Sequence, residues 1–368
     1  MNTSPNFERI RKTLLLQGEP DRVPIMESNI DRDVKKAILG RTPRTLEDEV
    51  EFWMATGYDY VPLAIGLRTV MRTATGLVQV GIGPTDFSAS LKMVKSRYSV
   101  IEDEERERGW AEEGTGIIAG RAEFESIRWP DPDAMDYSAF EEVQRYLPSG
   151  AKVIASIGYI YATASRLMGF QNFCEKLIDE PDLVADVMET VGKIQLRVFE
   201  NVIRMDVVGA TWHPDDIAYG TGLMVSPRFL RRHLWPWYRE MGRLSQDVGK
   251  PFIFHSDGKL DAVLDDIVEA GFTTLHPLEP KAMDIAQVKR DYGNRLSLIG
   301  GIDLNYTLTL GTPEEVDAEV RERIRVAAPG GGYAVGSANS VTEYVPLANF
   351  NAMREAALKY GSYPLNLL

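Results

Sequence analysis

Eight short apolar runs, separated by segments of helical character, constrain the fold of this 368-residue chain more than any other feature. Most of the runs are nearly continuous in apolar character, which is typical of parallel strands covered on both faces. They occupy residues 22–27, 58–65, 152–160, 207–212, 251–255, 273–276, 296–302 and 332–335. Strands that alternate with helices favour right-handed βαβ units, and eight such units predict a closed, distorted (β/α)8 TIM barrel.

The helical segments carry recognisable start signals. Ser226 precedes Pro227, and a capping residue followed by proline is typical of the first positions of a helix. Thr312 and Glu315 have the spacing of a capping box, which predicts that a second helix begins after Thr312.

Residues 66–131 interrupt this alternation of strands and helices. They contain an acidic run and stretches of alternating polarity at 77–83 and 122–129. Alternating polarity indicates strands with one covered face. We therefore interpret residues 66–131 as a hairpin-rich insertion after the second strand, and we expect a single barrel domain over residues 1–368.

Composition and charge narrow the classes of partner. With 41 basic and 54 acidic residues the net charge is −13, which disfavours nucleic acid because Lys and Arg supply most of the affinity for phosphate backbones. A single cysteine, Cys174, excludes a disulfide framework within the chain and a zinc site built from several thiolates. No apolar stretch approaches the roughly 20 residues that span a bilayer, so we expect no membrane partner and a cytoplasmic protein.

In a barrel of this kind the reactive groups collect at the carboxyl ends of the strands. The polar residues that follow the apolar runs are therefore the candidates for a functional site. They are Glu27, Asn29, His213, Asp215, Asp216, His255, Asp257, His276, Glu279, Asp303, Ser337 and Asn339.

The motif His255-Ser256-Asp257 is the most specific feature in this set. Positions i and i+2 of an extended segment point the same way, so the imidazole and the carboxylate share one face. This geometry suits a metal ion, with Glu279 or Asp215 completing a set of nitrogen and oxygen ligands. It equally suits a histidine that is oriented by a carboxylate for acid–base chemistry.

Purely structural roles remain open for several of these residues. Asp257, which precedes Gly258, is also a plausible cap for the next helix, and His276 before Pro277 is compatible with a core histidine. Asp216 and Asp303 have the surroundings of loop caps or partners of an arginine.

Four segments of the sequence resemble the uroporphyrinogen decarboxylase superfamily. They are HPDDIAYGTGLMVSPRFLRRHLWPWY (213–238), FHSDGKLDAVLDDIVEAGFTTLHPLEP (254–280), LIGGIDL (298–304) and GGYAVGSANSVTEYVPLANFNAMREAALKYGSYPL (331–365). The resemblance extends over most of residues 7–365. It implies a distorted (β/α)8 barrel with a cleft at the carboxyl ends of the strands, often in a homodimer.

The resemblance covers two activities, decarboxylation of uroporphyrinogen without a cofactor and methyl transfer with corrinoid proteins, commonly with zinc. Where the decarboxylases have an arginine-rich segment this chain has ESNIDRDVKK (27–36), and where they have a histidine it has Asn339. The zinc methyltransferases that alkylate thiols resemble the chain at His255, but Asp257 and Asn339 occupy the places of their cysteines. A site without thiolates is harder, and it suits the polarisation of a substrate oxygen or nitrogen.

These comparisons favour a methyltransferase that moves a methyl group from a small methoxy or methylamine substrate to a corrinoid carried by a partner protein. His255, Asp257, Glu279 and Asp303 are the predicted catalytic residues, and the first three are the predicted ligands of a zinc ion. The other eight candidates are predicted to bind the substrate. Two alternatives remain: a tetrapyrrole decarboxylase that anchors carboxylates through Arg68 or Arg72, and a non-catalytic tetrapyrrole-binding relative.

Overall fold

The computed structural model of the chain describes residues 4–64 and 116–366, together with the backbone of four strands between these two segments. Strands are numbered here in chain order. They are β1 (Tyr60–Ala64), β2 (Leu67–Thr73), β3 (Gly76–Ile82), β4 (Met93–Lys95), β5 (Gly109–Ala111), β6 (Lys152–Ser156), β7 (Val208–Pro214), β8 (Ala218–Tyr219), β9 (Gly222–Leu223), β10 (Phe252–His255), β11 (Thr274–His276), β12 (Ser297–Ile299) and β13 (Tyr333–Ala334).

Seven of these strands form one curled parallel sheet in the order β1-β6-β7-β10-β11-β12-β13. This is the sheet of a distorted TIM barrel, as the apolar runs predict. Each of the seven strands lies within the corresponding run, or within two residues of it.

The first predicted strand, 22–27, is shorter than expected. Ile25 forms a parallel bridge with Val335, so this segment continues the sheet beyond β13. The N–H of Met26 donates to the carbonyl of Val335 at 2.8 Å, and the N–H of Val335 donates to the carbonyl of Pro24 at 2.9 Å. Pro24 has no N–H of its own, which explains why the ladder is limited to a bridge.

The described residues also form fourteen α-helices. They are α1 (Phe7–Leu14), α2 (Arg32–Leu39), α3 (Leu46–Ala55), α4 (Arg121–Ser126), α5 (Ser138–Glu142), α6 (Tyr161–Met168), α7 (Phe170–Asp179), α8 (Pro181–Ile203), α9 (Pro227–His233), α10 (Trp235–Asp247), α11 (Leu264–Glu269), α12 (Ile285–Tyr292), α13 (Pro313–Ala327) and α14 (Leu347–Tyr360). The capping box of Thr312 and Glu315 is present at the start of α13, and the Ser226 hydroxyl accepts the N–H of Phe229 at the start of α9.

The side chains of β10 show which face of the sheet is which. Phe252 packs against Phe199 of α8, and Phe254 packs against Trp235 of α10, so these residues face the helices. His255 has the opposite orientation, and its ring lies beside that of His276 at the end of β11. At the other end of the barrel the carbonyl of Leu14 in α1 accepts a hydrogen bond from Ser297. The open end is therefore the one formed by the carboxyl termini of the strands.

The predicted insertion contains two antiparallel pairs, β2 with β3 and β4 with β5, in agreement with a hairpin-rich segment. One part of that prediction is wrong, because residues 122–129 begin within the helix α4 and not within a strand. Arg68 and Arg72 lie on β2, but their side chains are outside the described residues. Within the described part of the chain, no helix combines the length and apolar character needed to cross a bilayer.

Candidate functional site

Three of the predicted residues converge at the carboxyl ends of β7 and β10. The Nε2 atom of His255 lies 3.7 Å from Oδ1 of Asp216 and 3.8 Å from Oδ1 of Asp257. One ligand atom from each of the three residues falls within 4.8 Å of the others, and we call this group the Asp–His–Asp cluster. His255 is buried, while the two carboxylates are half-buried.

The two carboxylate oxygens of Asp257 have different surroundings. Its Oδ2 atom accepts a hydrogen bond of 2.6 Å from the side-chain amide of Asn339. Its Oδ1 atom is buried without a hydrogen-bond partner among the described residues. Burial, and then the nearby charges of Asp216 and Glu279, raise the pKa of Asp257 to about 8. Such a carboxylate becomes ionised more readily when a cation is present beside Oδ1.

Asp216 is held by the backbone of the loop after β10, which carries Asp257. Its Oδ1 atom accepts the N–H of Asp257 at 3.1 Å. This bond holds the Asp216 carboxylate in front of the His255 ring, although Asp216 comes from a different strand end. Asp216 is not among the predicted metal ligands, and the structure brings it into the cluster.

The second ring nitrogen of His255 contacts another histidine. The Nδ1 atoms of His255 and His276 are 2.6 Å apart, and both rings are buried. Burial lowers the pKa of His255, and it lowers the pKa of His276 well below the ordinary value. Two neutral imidazoles in this arrangement share one proton, which one Nδ1 donates and the other accepts.

Glu279 lies beside the cluster and not within it. Its Oε2 atom accepts the N–H of Gly258 at 3.2 Å, and its charge acts on Asp257. Of the three residues predicted to hold a metal ion, the structure brings His255 and Asp257 together and leaves Glu279 at the edge. Asp303 caps its own loop, because its carboxylate accepts the N–H of Asn305 at 2.8 Å.

Glu27 and Ser337 meet at the seam between the first segment of the sheet and β13. The carboxylate of Glu27 accepts the backbone N–H of Ser337 at 2.6 Å and contacts its hydroxyl at 2.7 Å. Glu27 is completely buried, and burial raises its pKa to about 8. Asn29, in contrast, is exposed, and its amide donates to Asp31 at 3.4 Å.

His213 and Asp215 are directed away from the cluster. The ring of His213 packs between Phe199 and Phe252 in the helix-facing layer, with centroid separations of 5.5 Å and 4.5 Å. The Asp215 carboxylate accepts three backbone N–H groups at the start of α6, from Ile160, Tyr161 and Ala162.

Trp212 is a site neighbour that the list of predicted residues omits. It precedes His213 on β7, and its ring meets that of His276 edge-on, with centroids 4.7 Å apart. The alternation of side chains along a strand is the signal that identifies it, because Trp212 and His213 must face opposite sides.

The Asp–His–Asp cluster fits a divalent ion such as zinc. Ligand atoms about 2.1 Å from a tetrahedral zinc ion lie roughly 3.4 Å apart, close to the 3.7 Å and 3.8 Å seen here. The buried and unpartnered Oδ1 of Asp257, within the described residues, is a donor atom directed at that position. Three protein ligands with a fourth position left for water or substrate are typical of catalytic zinc sites.

A parallel β/α barrel with a histidine and carboxylate cluster at the carboxyl ends of its strands is an enzyme-like architecture. A model of the uroporphyrinogen decarboxylase (URO-D) family matches residues 116–360, about two thirds of the chain. The chain therefore belongs to the uroporphyrinogen decarboxylase family, in agreement with the resemblance of its motifs.

Several relatives are methyltransferases. The chain is 29% identical over 199 residues to the methylcobamide:CoM methyltransferase MtaA of Methanosarcina barkeri, covering 54% of this chain and 55% of that protein. It is 22% identical over 241 residues to a methylated-thiol–coenzyme M methyltransferase of Methanosarcina mazei, covering 62% and 60%. The chain thus spans little more than half the length of these curated relatives.

A solved structure of a methyltransferase from Methanosarcina mazei has the same fold. It superposes over 97% of this chain and 99% of its own length with a TM-score of 0.64, at 16% sequence identity. This likeness supports the distorted TIM barrel, and at that identity it concerns the fold alone.

Proposed function

We propose that this protein is a methyltransferase that takes a methyl group from a small methoxy or methylamine substrate and delivers it to a corrinoid held by a partner protein. Membership of the family and the methyltransferase names of its relatives support the reaction class. The Asp–His–Asp cluster is the observation that carries the proposal.

The ligand chemistry of the cluster supports an oxygen or nitrogen substrate. Its donor atoms are one imidazole nitrogen and two carboxylate oxygens, and the only cysteine of the chain, Cys174, lies on α7. Soft thiolate ligands favour a thiol as the bound substrate, whereas nitrogen and oxygen ligands form a harder site. We therefore infer a methyl donor bound through oxygen or nitrogen, in contrast to the methylated thiol in the name of the Methanosarcina mazei relative.

The zinc ion of the proposal would be held by Nε2 of His255 and by one carboxylate oxygen each of Asp216 and Asp257. When bound, such an ion acts as a Lewis acid that polarises the substrate atom to which the methyl group is attached. The role of Asn339 is to keep the Asp257 ligand in place from behind, through the hydrogen bond described above.

The leaving atom needs a proton. As the bond from the methyl group to oxygen or nitrogen breaks, the electron pair stays on that atom, which then takes up a proton. We propose that this proton comes from solvent and is passed on through the Glu279 carboxylate, which lies beside Asp257 without belonging to the cluster. The backbone N–H of Gly258 holds Oε2, so Oε1 is the atom assigned to the substrate.

A corrinoid supplies, when bound, a nucleophilic cobalt that accepts methyl groups. We propose that it reaches the cluster from the side of the strand carboxyl ends, which is where the reactive side chains of a barrel are accessible. A homodimer and a cytoplasmic location stay predictions from the resemblance and the composition.

The direct test is methyl transfer from methoxy-aromatic compounds and methylamines to cob(I)alamin. The reaction is monitored through the loss of cob(I)alamin absorbance. We expect turnover with at least one substrate of these two classes, and at least a hundredfold loss in His255→Ala and in the isosteric Asp257→Asn. His233→Ala is the matched control, because His233 is a half-buried histidine on α9 outside the cluster.

Full activity of the zinc-loaded His255→Ala variant would contradict the proposed site. Stepwise loss of carboxylates from uroporphyrinogen, with no methyl transfer at high enzyme concentration, would contradict the reaction and support the decarboxylase alternative.

A further inference from the structure

His276 makes a contact with His255 that the proposed reaction does not itself require. The two histidines are the last residues of neighbouring strands β10 and β11, and they are paired in the parallel register. Their Nδ1 atoms are 2.6 Å apart and their ring centroids 4.7 Å apart. His276 is completely buried, so this contact is shielded from solvent.

The short distance between the two nitrogens restricts the position of the protons. Two N–H groups cannot face each other at 2.6 Å, so one Nδ1 carries the hydrogen and the other presents a lone pair. If His276 were the donor, the proton of a neutral His255 would be on Nε2, facing Asp216 and Asp257. At 3.7 Å and 3.8 Å these carboxylate oxygens are too distant to accept it well.

The opposite assignment is the one that suits a metal site. If Nδ1 of His255 donates, its Nε2 presents a lone pair toward the two carboxylates, which is the arrangement that a bound cation requires. The hydrogen of His276 is then on its Nε2, which has no hydrogen-bond partner in the described part of the chain. The His276 ring itself meets the Trp212 ring edge-on.

We propose that His276 is the positioning residue that selects the metal-binding tautomer of His255, by accepting its Nδ1 proton and directing its Nε2 lone pair at Asp216 and Asp257. This inference rests on the proposed metal site and adds the element that orients it. His276 lies outside the Asp–His–Asp cluster, and its Nδ1 is engaged by His255.

Removal of the acceptor has two consequences. It leaves the Nδ1–H of His255 buried and unpaired, and it allows the ring to rotate or to exchange tautomers. Partners of this kind behind a metal-binding histidine typically change metal affinity by about 10- to 100-fold when they are lost.

The test is the dissociation constant for zinc, measured on the full chain by competition with a chromophoric chelator. His276→Leu and His276→Asn form a matched pair, because leucine and asparagine have similar shapes but only asparagine offers an oxygen near the position of Nδ1. We expect His276→Leu to bind zinc about 10- to 100-fold more weakly, with His276→Asn recovering most of the loss. His233→Leu, outside the cluster, is expected to leave the affinity unchanged.

Cobalt(II) gives a spectroscopic readout of the same effect. The visible absorption of the cobalt-loaded His276→Leu variant should differ in position or intensity from that of the wild type, and that of His276→Asn should resemble the wild type. Equal zinc affinity in the wild type and His276→Leu would overturn the positioning role while leaving the metal site intact. Equal weakening in the leucine and asparagine variants would also overturn it, because packing alone would then explain the loss.

A measurement on the wild type covers the case in which a variant does not fold. The ¹⁵N chemical shifts of the four histidines in the zinc-loaded chain report the tautomer directly. The His255 signals are assigned as those that are absent from the spectrum of His255→Gln. We expect His255 to carry its proton on Nδ1, and a proton on Nε2 would overturn the inference. Absence of zinc binding by the wild type would instead overturn the metal site of the proposed function, and this inference with it.

Discussion

Glu27 is predicted to make the stability of the protein fall as the pH rises from about 5 to 8. Its carboxyl group is completely buried, and burial raises its pKa from 4.5 to about 8. Between these values the folded state holds a proton that the unfolded state releases. The stabilising contribution is therefore fully present below pH 4.5 and is lost as the pH approaches 8.

The magnitude follows from the shift. A change from 4.5 to about 8 corresponds to an upper limit of about 5 kcal/mol, at roughly 1.4 kcal/mol for each pH unit. The substitution Glu27→Gln removes this dependence, because glutamine resembles the protonated acid. Its amide oxygen can accept the N–H of Ser337, and its amide nitrogen can donate to the Ser337 hydroxyl.

The assay is equilibrium unfolding in urea at pH 5, 6, 7 and 8 for both proteins. We expect the free energy of unfolding of Glu27→Gln, relative to the wild type, to increase by several kcal/mol across this range. Other titrating groups cancel in the difference between the two proteins. Parallel pH profiles would refute the reasoning, since they would mean that Glu27 has the same pKa in the folded and unfolded states.

Three further predictions concern other buried groups. Burial lowers the pKa of His213 well below 6.5, so the unfolded state binds the extra proton and stability falls as the pH drops below 6.5. His213→Phe should reduce the difference between the free energies of unfolding in urea at pH 8 and pH 5. An unchanged difference would contradict this prediction. Tyr238→Phe should lower the free energy of unfolding by about 1–3 kcal/mol, because the tyrosine hydroxyl contacts both the Asp215 carboxylate at 2.8 Å and the carbonyl of Gly158. A loss below about 0.5 kcal/mol would show that water takes the place of the hydroxyl group. Asn339→Ala should weaken zinc binding about tenfold in the chelator competition, because Asp257 loses the amide that holds its Oδ2. Unchanged zinc affinity would show that other contacts hold Asp257.

The strands of the barrel are predictable because burial on both faces leaves a clear trace in the sequence. Phe252–His255, for example, is buried at every position, and its apolar run marks it as a parallel strand. The exception at residues 22–27 follows from Pro24, whose missing N–H limits pairing to a bridge. Residues 122–129 were interpreted wrongly because alternation over so few residues does not exclude a short helix such as α4.

The site is predictable where the strand geometry extends to it. His255 and Asp257 share a face, as their spacing indicates, and both enter the cluster. The role of Asp216 is not predictable in this way, because it follows the end of β7 and is oriented by the backbone N–H of Asp257 from another loop. For His213, burial on both faces of β7 hides which face is the interior, so its position among the aromatic side chains follows only from packing.

The metal content of the purified chain tests the central claim most directly. Elemental analysis of the wild type should give about one zinc ion per chain. We expect this ion to be lost in His255→Ala and Asp216→Asn and to be retained in Glu279→Gln, since Glu279 lies outside the Asp–His–Asp cluster. No metal in the wild type after purification without chelators and addition of zinc would contradict the account, as would an ion that survives the loss of His255.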